Sequence, residues 1–211
     1  MKQVPYYGNP GNACALACYT MVAQYLLPNK KVTFEQLSKI ADWKEGYVVW
    51  GFQVWEWLMN QGIHIVDYDT IDYQAWAKNG LAGLQTSASP QEFTFYKDNT
   101  FDVESESEYI SQMFEHPNFT YVRKKPTWED VVREFRAPGI CDLTLNSAAL
   151  NKQEGFYPHR VVLLDITDTH VVFHDPNRGW DGEKRRETLK HFRQTFDSLN
   201  DPELARYWIE D

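Results

Sequence analysis

Apolar residues run almost unbroken from Ala13 to Leu27, where Pro28-Asn29 interrupts them; this length and composition predict a buried helix. Thr33-Phe34-Glu35-Gln36 has the spacing of a capping box, in which hydroxyl and side-chain amide reciprocally satisfy backbone N–H groups. A second helix is therefore expected from there to Ala41. Gly51 to Asn60 predicts a third, closed by Gly62, and Ile63 to Tyr68 then reads as a strand. Tyr73 to Lys78 predicts a short helix stopped by Asn79-Gly80, since glycine tolerates the left-handed turn that ends helices.

The stretch from Gln85 to Pro117 shows no clear period before Tyr109 to Phe114 and carries Asp98, Asp102, Glu104, Glu106 and Glu108. It reads as a surface excursion or as a lid over a cleft. Beyond it, Thr127-Trp128-Glu129-Asp130 caps a helix to Arg136, ended by Pro138-Gly139. Ile140 to Leu145, Arg160 to Ile166 and His170 to His174 are strand-like, the last two joined by Thr167-Asp168-Thr169 as a hairpin. A helix from Glu187 to Leu199 and a strand from Arg206 to Ile209 complete the chain. The pattern predicts an α+β fold of one domain: a helical half over 1–80, an irregular insertion over 81–120, and an antiparallel sheet half over 121–211.

Composition narrows the function. The 211 residues, 43% of them hydrophobic, suffice for one sizeable core. A net charge of −9 and a pI near 5.2 argue against a nucleic-acid partner, which needs a basic footprint. No apolar run reaches the about 18 residues of a membrane-spanning helix. The start, Met1-Lys2-Gln3-Val4-Pro5-Tyr6-Tyr7, lacks the apolar core of a signal peptide. The expectation is a cytoplasmic protein, with export of a processed form left open. Three cysteines do not make a disulfide framework, and none of the six histidines has zinc-site spacing, so neither metal nor cofactor is expected. Asn118-Phe119-Thr120 matches a glycosylation sequon, which without a secretion signal carries no weight.

Cys14 follows the turn sequence Pro10-Gly11-Asn12-Ala13 and opens the first helix. A thiol there meets unpaired N–H groups and the positive end of the helix dipole, both of which favour thiolate. The plain alternative is a small buried hydrophobe, and for Cys18 and Cys141 that is the preferred reading. A reactive thiolate needs a base, and the base an orienting group. A hairpin turning about Thr167 would set His159 directly opposite Asp175 across adjacent strands, subject to register. His174 points to the other face from Asp175. Trp43, Tyr47, Trp50, Trp55 and Trp57 are expected mainly in the core, with Trp50 placed to reach a cleft.

Val4-Pro5-Tyr6-Tyr7 and the run Gly11 to Val22 resemble the N-terminal motif of the bacteriocin-processing-peptidase-like group of papain-like cysteine peptidases. His159-Arg160-Val161-Val162-Leu163-Leu164 and Val171-Val172-Phe173-His174-Asp175-Pro176 are similar to that group's histidine and aspartate motifs. The matching stretches lie within residues 1–27 and 126–200. The resemblance implies a papain-like fold with the active site between a helical half and a sheet half. It also implies Cys14 as nucleophile, His159 as general base and acid, and Asp175 as the residue orienting the imidazole.

Two positions depart from the group's pattern. Cys14-Ala15-Leu16 stands where the group usually has Cys-Gly-Pro, and Asn9 stands nearest to its oxyanion-binding glutamine. Asn9 offers the same amide on a shorter side chain, beside the Cys14 backbone N–H, with Gln3 as the fallback donor. The resemblance implies amide hydrolysis in a peptide or protein through a Cys14 thioester. Acyl transfer or deamidation by the same triad, or a catalytically silent peptide-binding module, are the alternatives. The oligomeric state is not legible.

Overall fold

Strand alternation divides the molecule into layers. Along Ile63–Asp69 (β1), Ile63 and Ile65 enter one buried cluster while Val66 and Tyr68 enter another, because successive strand residues point to opposite faces. The same split recurs in Ile140–Asn146 (β3) and in Pro158–Ile166 (β4). A sheet buried on both faces must be covered on both, and this one is. The structure is a computed structural model that describes residues 1–9, 11–177 and 182–210. Pro10, part of the turn expected ahead of Cys14, lies outside the described residues.

In chain order, the first half holds α1 (Cys14–Leu26), α2 (Phe34–Ile40), α3 (Phe52–Asn60), β1, then α4 (Tyr73–Asn79), α5 (Leu81–Ser87), α6 (Pro90–Asn99) and α7 (Val103–Glu115). The second holds β2 (Phe119–Arg123), α8 (Trp128–Arg136), β3, α9 (Ser147–Leu150), β4, β5 (His170–His174), β6 (Arg185–Thr188), α10 (Leu189–Asp197) and β7 (Leu204–Ile209). The seven strands form one sheet in the order β2-β1-β7-β3-β4-β5-β6.

The α+β class holds, and three expectations are corrected. The sheet is mixed rather than antiparallel, because β1 and β2 pair in parallel with Ile65 opposite Phe119. That pairing also explains the second correction. Parallel neighbours need a crossover long enough to return the chain to the same end of the sheet. Residues 81–120 supply most of it, and they are helical rather than irregular. Their start signals were present in the sequence: Ser89 accepts from the Glu92 N–H ahead of a first-turn proline, and Asp102 accepts from the Ser105 N–H. Third, Arg185–Thr188 is a strand against β5, so the last long helix begins at Leu189, capped by Thr188, and not at Glu187. Strand β1, from the helical half, also pairs with β7 from the far end of the chain, so the halves are not separate layers.

One core lies between the sheet and the helices of the first half, where Leu16, Trp55, Leu58 and Trp76 meet Ile65, Val162 and Tyr207. The other lies on the opposite face under α8 and α10, where Phe173 and Phe192 rings stand 5.0 Å apart. Among the described residues no helix is long and apolar enough to cross a membrane. Phe192 is fully buried, so Phe192→Ala is expected to destabilise the protein by about 3–5 kcal/mol, read as a lowered urea midpoint. A change under about 1 kcal/mol would mean that α10 does not close this core.

Candidate active site

Helix α1 begins at Cys14 because the chain ahead of it is tied down. The Asn9 side-chain oxygen accepts from the N–H groups of Gly11 and Ala13, both at 3.0 Å, and Ala17 N–H closes the first turn on the Ala13 carbonyl. Asn9 is itself buried, and its backbone N–H donates to the Pro176 carbonyl. Cys14 is left half-buried at the positive end of the helix, where first-turn N–H groups have no intrahelical partner.

His159 stands at the start of β4, and Asp175 directly after β5. The expected register between these strands is corrected. Ile166 faces Val171, the register shifts between Leu163 and Asp165, and Val162 faces His174. Carried one residue further, that register sets Asp175 opposite Val161, so His159 is its diagonal neighbour on the same face. Diagonal pairs remain within reach of long side chains. His159 Nε2 lies 2.8 Å from Asp175 Oδ1, and Cys14 and His159 stand close enough to shift each other's pKa. With Nε2 engaged by Asp175, Nδ1 is the ring nitrogen left for sulfur. The three residues singled out in the sequence are therefore brought together by α1 on one side and β4–β5 on the other.

Electrostatics polarise this chain of groups. Burial pushes the Cys14 thiol up, but the hydrogen bond and charge of His159, with the Arg160 backbone hydrogen bond, bring it below its ordinary value. Burial opposes charge on His159, yet Asp175 and Cys14 together raise the imidazole to about 10. Asp175 is fully buried, which raises its pKa. His159, the Asn177 N–H at 3.0 Å and Arg185 at 2.9 Å more than offset that and hold it below the usual range. The arrangement favours thiolate–imidazolium over thiol–imidazole.

Arg185 was not legible in the sequence, because β6 itself was not. Its Nη1 also bonds Asn151 Oδ1 at 3.1 Å, and its Nη2 meets Glu187 at 3.1 Å. The backbone of Asp175 is held as firmly as its carboxylate. Tyr6 donates to its carbonyl at 3.0 Å, and its N–H donates to the Gly182 carbonyl at 2.9 Å. Any Cβ on Gly182 would stand 1.9 Å from the Asp175 carbonyl oxygen, so that position admits only glycine.

The other candidates fall elsewhere. Gln3 is exposed, and its Nε2 donates to the Met1 carbonyl at 3.4 Å, which takes the fallback oxyanion donor away from the cleft. His174 is buried between the Val4 carbonyl at 2.9 Å and the Lys184 N–H at 3.1 Å, and burial lowers its pKa. Cys18 and Cys141 are fully buried. Burial pushes Cys18 well up and Cys141 to about 12, so both are core thiols.

Cys14 and His159 open onto a cleft whose walls include Trp50, Trp55, Phe95 and Tyr96. Two residues of α6 thus make the acidic excursion a wall of the cleft. Beneath it lies a charged layer on the helix-facing side of the sheet. The buried Arg160 guanidinium pairs with Asp142 at 3.0 Å and with Glu203, and Tyr207 donates to Asp142. Burial lifts Asp142 to about 7, and lifts Asp69 to a similar value. No group of three or more His, Cys, Asp or Glu among the described residues is arranged to hold a metal ion. The chain matches no protein-family model and has no significant match among curated proteins.

Alkylation by iodoacetamide tests the polarised pair directly. In the native protein Cys14 is expected to react selectively, with a rate that rises at a pH below the ordinary thiol value of about 8.5. The sign follows from the shifts. A lowered thiol pKa populates thiolate earlier, and the raised imidazole pKa keeps its countercharge up to about 10. A single ionisation near ~8.5, or equal labelling of Cys18, would contradict this assignment.

Proposed function

We propose that this protein is a papain-like cysteine hydrolase that cleaves an amide bond in a peptide or protein. The observation that carries the proposal is that Cys14 and His159 line one apolar cleft, with His159 held 2.8 Å from the buried Asp175 behind it. The Cys-His-Asp order along the chain and the helix-borne nucleophile support a papain-like topology.

In this mechanism the Cys14 thiolate attacks the substrate carbonyl carbon. His159, protonated in the resting pair, gives its proton to the leaving amine as the tetrahedral intermediate collapses to a thioester. Water then enters, loses a proton to the now neutral His159, and the thioester C–S bond breaks. Asp175 does not exchange protons. It keeps the imidazole ring in plane with the sulfur and stabilises the imidazolium, as the acid of a triad does.

The developing oxyanion needs donors. The Cys14 backbone N–H is one. Asn9 is the second: its oxygen is committed to Gly11 and Ala13, so its amide nitrogen is what it can offer a substrate. The same residue thus shapes the turn that presents Cys14. Transfer of the acyl group to an amine, or deamidation of a side chain, would use the same thioester.

Cys14→Ala is expected to abolish hydrolysis of a peptide-library substrate while leaving the unfolding midpoint nearly unchanged. Cys18→Ala should keep activity and lose roughly 1 kcal/mol or more of stability; the reverse outcome would move the nucleophile to Cys18.

Asn9 is tested by separating its two duties. Asn9→Asp retains the oxygen that accepts from Gly11 and Ala13 and removes the amide donor. Turnover is expected to fall by about 10²-fold with stability kept, whereas Asn9→Ala should lose both. Unchanged turnover in Asn9→Asp would remove Asn9 from the oxyanion site.

A further inference from the structure

A carboxylate turns easily about its Cβ–Cγ bond, so its orientation has to come from its partners. Asp175 divides them between its two oxygens. Oδ1 accepts from His159 Nε2 at 2.8 Å and from the Asn177 N–H at 3.0 Å. Oδ2 accepts from Arg185 Nη1 at 2.9 Å, the one donor it meets among the described residues. The carboxylate plane is thus fixed at both ends, and the end away from His159 is fixed by Arg185. That guanidinium is itself held in place. Its Nη1 also donates to Asn151 Oδ1 at 3.1 Å, and its Nη2 to the Leu150 carbonyl at 3.3 Å and to Glu187 at 3.1 Å. Asn151 presents its oxygen because its amide donates to the Ser147 carbonyl at 2.6 Å. The guanidinium carbon stands 5.8 Å from the centroid of the buried Phe173 ring.

The plain alternative is a tie between β6 and α9 that happens to touch Asp175. The charges around Asp175 argue for more. A guanidinium keeps its charge at any pH the protein meets. His159, facing from β4, gives up its proton during the proposed reaction. Cys18, on α1 behind Cys14, is a neutral core thiol. Arg160, next to His159, is taken up by Asp142 and Glu203. His174, the residue before Asp175, accepts from the Lys184 N–H through Nδ1 and faces the Val4 carbonyl through Nε2, which holds it neutral. The Lys184 ammonium pairs with Glu183. Glu187 shares the Arg185 guanidinium, but from a side chain 24% exposed, whereas Asp175 is fully buried and its attraction is less screened. Among the described residues Arg185 is therefore the lasting positive charge at Asp175. A buried carboxylate deprived of cations draws a proton.

We propose that Arg185 is a positioning residue of the proposed hydrolase. It fixes the Asp175 carboxylate in rotation, and it keeps that carboxylate anionic through the stage in which His159 is neutral. Once the imidazolium has passed its proton to the leaving amine, Asp175 loses its nearest cation, and the guanidinium at Oδ2 remains. The carboxylate is then still charged and still aimed when His159 takes a proton from water. Arg185 touches neither substrate nor sulfur and acts through Asp175.

This role presupposes the Cys14–His159–Asp175 site, but its test does not need turnover. The rate of Cys14 alkylation by iodoacetamide is followed against pH in wild type, Arg185→Met, Arg185→Lys and Asn151→Ala. Arg185→Met keeps an apolar stem against Phe173 and removes the charge. Losing a positive charge disfavours both the Asp175 carboxylate and the Cys14 thiolate, so the acid limb moves to higher pH. A rise of about one unit or more is expected, the size of a lost charge-assisted hydrogen bond. Arg185→Gln, neutral but with an amide donor, is read in the same way should Arg185→Met not fold. Arg185→Lys gives up the contacts of the second nitrogen but keeps the charge, and is expected to hold the limb within about half a unit of wild type. Asn151→Ala, which cuts the tie to α9 and spares Asp175, should hold it as closely. A limb unmoved in the neutral variant, or moved as far in Arg185→Lys or Asn151→Ala, would leave only the tie and overturn the proposal. The wild-type curve keeps the two claims apart. Labelling without selectivity for Cys14 sinks the hydrolase and this role together, whereas selective labelling with an unmoved limb sinks the role of Arg185 alone.

Discussion

A fully buried carboxylate must be surrounded by donors, and Asp175 organises the structure around that requirement. Its two oxygens receive the imidazole of His159, the backbone N–H of Asn177 and the guanidinium of Arg185, from β4, the following turn and β6. Its backbone is clamped by Tyr6 and Gly182. The N-terminal segment, three neighbouring strand ends and the helix that carries Cys14 are thus gathered at one buried charge. Removing it would take the carboxylate partner from the buried His159 and one of two carboxylate partners from Arg185, so the group that orients the imidazole also serves the fold.

What was legible in the sequence follows the strength of local signals. Helix α1 and its terminal thiol could be read from one long apolar run and the turn before it. Helix α8 shows the reciprocal Thr127–Asp130 capping box expected of it. The contact of His159 with Asp175 was anticipated through a hairpin, but by the wrong register: the strands turn between Asp168 and Thr169 rather than about Thr167, and the bulge between Leu163 and Asp165 takes back only one residue of that offset. The pair survived because a side chain two residues off in register stays on the same face.

The failures share one physical cause: pairing between distant segments. The parallel β1–β2 pair, and hence the need for a helical crossover over 81–120, depends on contacts that local periodicity cannot express. Strand β6 is short and charged, Arg185-Arg186-Glu187-Thr188, and is a strand only because β5 offers it an edge. Missing it meant missing Arg185. The acids Asp67, Asp69, Asp142 and Glu203 were visible as charged residues within or beside apolar strands. That Asp142 and Glu203 meet Arg160 under the cleft required the sheet order to be known.

The central claim is that Cys14 and His159 share their charges in the resting protein, and the titration of His159 itself is the most direct measure of it. ¹⁵N chemical shifts of the imidazole, followed against pH in wild type and in Cys14→Ala, report the proton at each ring nitrogen. The expected result is a wild-type imidazolium that persists far above the ordinary value of about 6.5, and a pKa that falls when the thiolate is removed, with Nε2 still bonded to Asp175. Identical titrations in the two proteins, near ~6.5, would show that no ion pair forms and would contradict the account.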